Sequence, residues 1–188
     1  MGALTVKSNR IVAALVAAVW ISIPAAAPAG PAELDRLFDQ LDDADTRDWQ
    51  RIESEILREW SRSGSAAMDL LLQRGRSAME RGDLTAAIEH FTALTDHAPD
   101  FAEGWNARAT AYYHAGQFGP SISDIRRTLA LEPRHFGALA GLGLIFESIG
   151  REDRALEAWR MAQAIHPHSP GINDAVQRLE RKVSGTDL

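Results

Sequence analysis

From residue 32 onward, the apolar positions of this chain recur three and four apart, the spacing that places side chains on one face of a helix. Residues 32–44 put Leu34, Leu37, Phe38 and Leu41 on one such face. Residues 46–61 do the same with Trp49, Ile52, Ile56, Leu57 and Trp60, with Asp45 or Thr46 available as a cap. Near the other end, residues 171–183 align Ile172, Ala175, Val176, Leu179 and Val183 in one stripe and are polar elsewhere. The Ser-Arg-Ser-Gly-Ser run at 61–65 reads as a short linker.

Between these amphipathic ends the pattern becomes periodic. Gly82, Gly116 and Gly150 are 34 residues apart, and so are Pro99, Pro133 and Pro167. Two breaker residues in lockstep mean one supersecondary unit repeated three times. Each unit reads as two helices. The first stops at the glycine, where a left-handed backbone costs nothing. The second stops before the proline, which cannot continue a helix.

The positions around these marks carry a further pattern. Residues 68–101 show Leu71, Arg74, Gly75 and Ala78, then Ala87, Phe91 and Pro99. Residues 102–135 show Trp105, Arg108, Ala109 and Tyr112, then Ser121, Ile125 and Pro133. Residues 136–169 show Leu139, Leu142, Gly143 and Phe146, then Ala155, Trp159 and Pro167. This resembles the 34-residue tetratricopeptide repeat. Arg74 and Arg108 depart from it by replacing an apolar residue, and Pro120 fits the first turn of a second helix. The resemblance implies an all-α solenoid, a right-handed superhelix of helix hairpins. Residues 30–64 are then an amino-terminal helical hairpin, a degenerate repeat or cap. Residues 170–183 form the carboxy-terminal capping helix, followed by a disordered tail at 184–188.

The first 29 residues differ from the rest. Lys7 and Arg10 precede an uncharged apolar run at 11–23, followed by Pro24-Ala25-Ala26-Ala27-Pro28-Ala29. A basic start, a short apolar core and a small-x-small site read as a secretory signal peptide. The run is shorter than the ~20 residues of a membrane span. An uncleaved anchor is the alternative. With no cysteine, the chain has neither disulfides nor a lipid-attachment site. All 26 acidic residues and 18 of the 20 basic ones follow residue 29, which leaves that part at −8. Such acidity argues against nucleic acid and anionic lipid as partners. It concentrates at Glu33, Asp35, Asp39, Asp42, Asp43, Asp45 and Asp48, the pattern of a solvated cap face.

The candidate chemistry is thin. His166-Pro167-His168 sits in an inter-repeat turn with no third ligand at fixed spacing, so no metal is expected. Gly137, Gly141 and Gly143 fall on a helix, not after a strand, and make no dinucleotide fingerprint. No enzyme and no cofactor is expected. Binding remains. In stacked repeats the first helix of each unit lines the concave face. Its candidates are Arg76, Glu103, Asn106, Thr110, Tyr113, Gly137, Ala140 and Gly141, with Asp69, Leu72, Gln73, Met79, Ala107, Leu144 and Glu147 beside them. Arg76, Asn106 and Tyr113 are placed to bond a peptide backbone, and the Gly137/Ala140/Gly141 patch to admit a bulky apolar side chain or a helix. Chaperone-binding members of the family hold a terminal carboxylate at positions matching Leu72, Arg76, Ala107, Gly137 and Gly141 here, of which only Arg76 is basic.

The combined expectation is a periplasmic adaptor that binds a partner protein or peptide in its groove. The resemblance to periplasmic repeat proteins also allows an accessory role in envelope or secretion assembly. A structural module whose groove is filled by its own helix or another copy is the alternative. Export is checked by intact mass: the natively expressed protein should begin near Gly30, and a retained Met1 on a cytosolic protein would defeat it.

Overall fold

A computed structural model describes residues 31–43 and 48–185. The signal-peptide reading of residues 1–29, the Asp45/Thr46 cap and the last three residues of the tail lie outside the described residues. Among those described, the regular structure is helical throughout: α1 (Pro31–Asp42), α2 (Trp49–Trp60), α3 (Ala66–Glu80), α4 (Leu84–His97), α5 (Ala102–His114), α6 (Phe118–Leu131), α7 (Phe136–Ser148), α8 (Glu152–Ile165) and α9 (Pro170–Val183). The pairs α3/α4, α5/α6 and α7/α8 are the three repeat units, stacked in chain order and followed by α9.

The breakers act as their chemistry requires. Gly116 turns the chain between α5 and α6 at φ 70°, and Gly82 and Gly150 occupy the same conformation in their own units. Asp83 caps α4 by accepting from the Ala86 N–H at 3.0 Å. Pro120 lies in the first turn of α6, where its missing N–H leaves nothing unpaired.

Within each unit the two helices meet through a size match. The Phe91 ring of α4 stands where a side chain on Gly75 of α3 would be. A Cβ on Gly143 would come within 2.6 Å of the Trp159 indole. In the middle unit Ala109 faces Ile125, both buried, and the smaller residue opposite makes room for the methyl. Ser121, buried beside them, donates its hydroxyl to the Ala109 carbonyl at 2.7 Å and so leaves no unpaired polar group.

Polar ties reinforce these contacts. Arg108 meets Asp124 in a two-point bond, Nε to Oδ2 at 2.7 Å and Nη2 to Oδ1 at 2.9 Å, and reaches Thr95 of α4. The departure from the apolar repeat pattern at Arg108 is thereby compensated inside the protein. Asp124 and Thr95 are both buried, and each is satisfied. Glu147 of α7 accepts from the Trp159 indole at 2.8 Å and from Arg178 of α9, tying three helices together.

The amino-terminal hairpin packs elsewhere than on the end of the stack. Leu37, Phe38, Leu41, Ile52, Ile56 and Trp60 share their core with Phe136 and Ile165, while the core around α3 holds no α1 or α2 residue. Trp60 stacks on His135 at 4.1 Å between centroids. Arg134 bonds Asp35 at 2.8 Å and lies over Phe38. The hairpin therefore covers the edge formed by the turns after α6 and α8, instead of extending the array ahead of α3. The cause is the match between the α2 apolar face and the aromatic and imidazole rings on that edge. Gly64, at φ 81°, turns the linker back toward α3.

Replacing Trp159 by Ala removes the ring that fills the Gly143 gap and should cost about 3–5 kcal/mol. Met161→Ala, on the exposed side of the same helix, should cost less than about 0.5 kcal/mol. Urea denaturation compares them, and equal midpoints would show that the repeat register is misplaced.

Candidate peptide-binding groove

α3, α5 and α7 present one face side by side. Between α5 and α7 lies a hollow of about 210 Å³ whose walls include Tyr113, Ile125, Ala138 and Leu144, with Gly137, Ala140 and Gly141 at its floor. Between α3 and α5 lies a second, of about 290 Å³, bounded by Arg76, Met79, Glu103 and Phe91. Asn106 and Thr110 line both. All eight groove candidates, Arg76, Glu103, Asn106, Thr110, Tyr113, Gly137, Ala140 and Gly141, thus fall on these two connected hollows.

The glycines of the array are of two kinds. At Gly75 and Gly143 packing forbids a side chain. At Gly137 a Cβ would meet only the His135 ring, at 3.5 Å, and at Gly141 only Ile125 Cδ1, at 3.7 Å. Both are ordinary van der Waals contacts, so the fold does not demand glycine there. What the bare backbone provides is open space. Ala140 has a double role, since it also packs against the core beneath α8 and α9.

The polar half of the groove satisfies itself. Glu103 is buried, and its carboxylate accepts from Arg76, from the Asn106 amide at 2.9 Å and from His135 Nε2 at 3.1 Å. Burial pushes this carboxyl up, but the bonds from His135, Arg76 and Asn106 outweigh it and hold it below the usual carboxylate range. Arg76 also bonds Ser61. The sequence reading offered Arg76 and Asn106 to a peptide backbone. In the structure both already donate to Glu103, Asn106 from three residues along α5 and Arg76 because the stacking of α3 on α5 brings residues 27 apart into contact. Leu72 and Ala107, at two of the carboxylate-clamp positions, are buried in the core.

His135 and Trp60 join the site without having been singled out. His135 Nδ1 accepts the Ala138 N–H at 3.1 Å, capping α7, so its Nε2 carries the proton donated to Glu103. Its place just before Phe136, at a helix start, is the only signal the sequence holds for this. The two rings of the His-Pro-His turn face different partners. His168 meets the Asp43 carbonyl, and His166 is buried against the edges of Trp49 and Phe136. Among the described residues no three His, Cys, Asp or Glu side chains converge as a metal site.

The sequence pattern of the tetratricopeptide repeat matches residues 72–119 and 115–170, more than half of the chain. The chain belongs to the tetratricopeptide-repeat family. A repeat-containing protein of Rhizobium etli is 38% identical over 153 residues, covering 81% of this chain and 75% of that protein. Tetratricopeptide-repeat structures give the same fold at lower identity. The Sgt2 domain of Aspergillus fumigatus is 23% identical with a TM-score of 0.61, covering 65% of this chain and 83% of that domain. The second domain of human RPAP3, solved in complex with an HSP70 peptide, is 18% identical with a TM-score of 0.54, covering 57% and 90%. No described helix of this tetratricopeptide-repeat chain is long and apolar enough to cross a membrane.

The buried histidine under the hairpin sets a pH dependence. Burial lowers the pKa of His166 against the pull of Glu53, whose Oε1 lies 3.3 Å away, and neither ring nitrogen has a hydrogen bond. The unfolded chain then binds the proton more readily than the folded one. Stability from this group is full above pH ~6.5 and is lost as pH falls below it. Glu103 adds a loss of the same sign only below the ordinary carboxylate value of about pH 4.3. Urea midpoints should therefore decline as pH falls from about 6.5 toward 5.5, and His166→Phe should flatten the decline. Parallel profiles for the two proteins would show that His166 is not the titrating group.

Proposed function

We propose that this chain is an exported, periplasmic adaptor that holds an apolar side chain of a partner peptide or helix between α5 and α7. The observation that carries the reading is the open floor at Gly137 and Gly141, where packing would tolerate a side chain and none is present. Tyr113 and the half-exposed Leu144 wall that floor with apolar surface, and a concave apolar site with few polar groups suits a ligand. The hollow has the volume of one large side chain, so one anchor residue per partner is the expected mode. The role is binding, and the polar residues of the groove serve each other rather than a reaction.

The likeness to the RPAP3 domain supports a peptide partner in kind. A terminal carboxylate is disfavoured as the ligand, since Leu72 and Ala107 are apolar and Arg76 is already neutralised by Glu103. Export rests on the basic start, apolar run and small residues of positions 7–29. An accessory role in envelope or secretion assembly is compatible with that location.

The test is capture from native periplasm, followed by affinity measurement with the recovered partner. Gly141→Leu fills the hollow while improving helix propensity by up to ~1 kcal/mol, so its melting temperature should hold or rise. Its affinity should fall about tenfold or more, equivalent to ~1.4 kcal/mol. Tyr113→Ala should weaken the same partner. Unchanged affinity in both variants would remove the groove from consideration.

A further inference from the structure

Because the hairpin sits on the edge of the array, the outward face of α3 is left without the cover a preceding unit would give. Leu70, Gln73, Arg74, Ser77 and Arg81 line that face, with His90 of α4, around a hollow of about 490 Å³. Leu70 is 44% exposed. Among the described residues, no carboxylate pairs with Arg74 or Arg81. In a chain of net charge −6 this is a basic patch left uncompensated.

The complementary surface is on the same chain. α1 exposes Asp35, Asp39 and Asp42 along one side. Arg134 shares the first, and among the described residues the other two have no cationic partner. The spacings agree: Arg74 and Arg81 are seven residues apart, and so are Asp35 and Asp42. Two helical turns carry each pair about 10.5 Å along its helix. One helix can therefore lie along the other with both arginines opposite carboxylates. Within one molecule the two surfaces do not meet, since α1 packs beside Phe136 and Arg134 while the arginine face of α3 points out of the stack.

We infer that the open end of the array docks onto the acidic side of α1 in a second copy of the chain. The contact joins unlike surfaces, so a bound pair still offers one free surface of each kind, the α1 side on one copy and the α3 end on the other. Association of this type is open-ended and grows by addition unless the rotation closes a ring. Exposed ion pairs are individually weak, so the affinity is low and depends on ionic strength. This surface is separate from the α5/α7 hollow, and the groove stays free in the associated form.

Sedimentation equilibrium of the protein, purified in the form the cell accumulates, tests this. In about 20 mM salt the average mass should climb from about 10 μM to 1 mM protein, and in about 0.5 M salt it should return to the monomer. Arg74→Glu with Arg81→Glu should abolish the climb, and so should Asp39→Arg with Asp42→Arg. Mixing the two double variants should restore association, because opposite charges again face each other. A monomer at every concentration in low salt overturns the inference. So does association that survives either double variant or strengthens with salt, which would point to an apolar contact elsewhere. Failure of the mixture to recover association overturns it as well.

Discussion

The Trp159 ring occupies the space that any side chain on Gly143 would need, and much of the array follows from contacts of that kind. A pair of helices joined by a short turn has one apolar seam. To bury it at close range, one helix must present a gap and the other a ring. Gly75 with Phe91 and Gly143 with Trp159 are the same solution, and Ala109 with Ile125 is the scaled version. The period of the sequence reflects this repeated fit. It also explains why the buried hydroxyl of Ser121 is tolerated. At that close approach the Ala109 carbonyl of the facing helix is within reach as an acceptor.

What lies between units is held differently. Across α4, α5 and α6 the tie is Arg108, reaching Asp124 and Thr95 from a position the repeat usually leaves apolar. Across α3 and α5 it is Arg76 with Glu103, and across α7, α8 and α9 it is Glu147 with Trp159 and Arg178. Each of these carboxylates is partly or wholly withdrawn from water and answered by a guanidinium. Withdrawal without the partner would be strongly unfavourable. The interfaces are therefore specified by pairs, and an exchange of one member alone is not neutral.

The legible part of this protein was the part written locally. Helix ends at Gly82, Gly116 and Gly150, the facing of Gly75 and Phe91, and the set of residues on the first helices all follow from positions within 34 residues. The hairpin was legible as two amphipathic helices, but its seat was not. Asp35 and Arg134 are 99 residues apart, and Trp60 finds His135 across 75 positions of sequence. Nothing periodic announces such contacts. The groove shows the same division. Its members follow from their place in the repeat. Which of them are already bonded does not, because Arg76 meets Glu103 only once two units are stacked.

That last fact changes what the groove can select. Along its length the surface passes from a self-neutralised polar half between α3 and α5 to an apolar half between α5 and α7. A ligand charge placed over the first half meets a guanidinium and a carboxylate at once, and gains little. An apolar group placed over the second displaces water from Tyr113, Ile125 and Leu144 against a floor of bare backbone, and gains the area it buries. On the proposed groove-binding reading, discrimination would rest on the shape of one apolar anchor and not on the charge of the partner. Glu103 reinforces this through His135 and the Trp60 stack. The hairpin thus helps hold the His135 donor against Glu103, while Arg76 supplies the charge that neutralises the carboxylate.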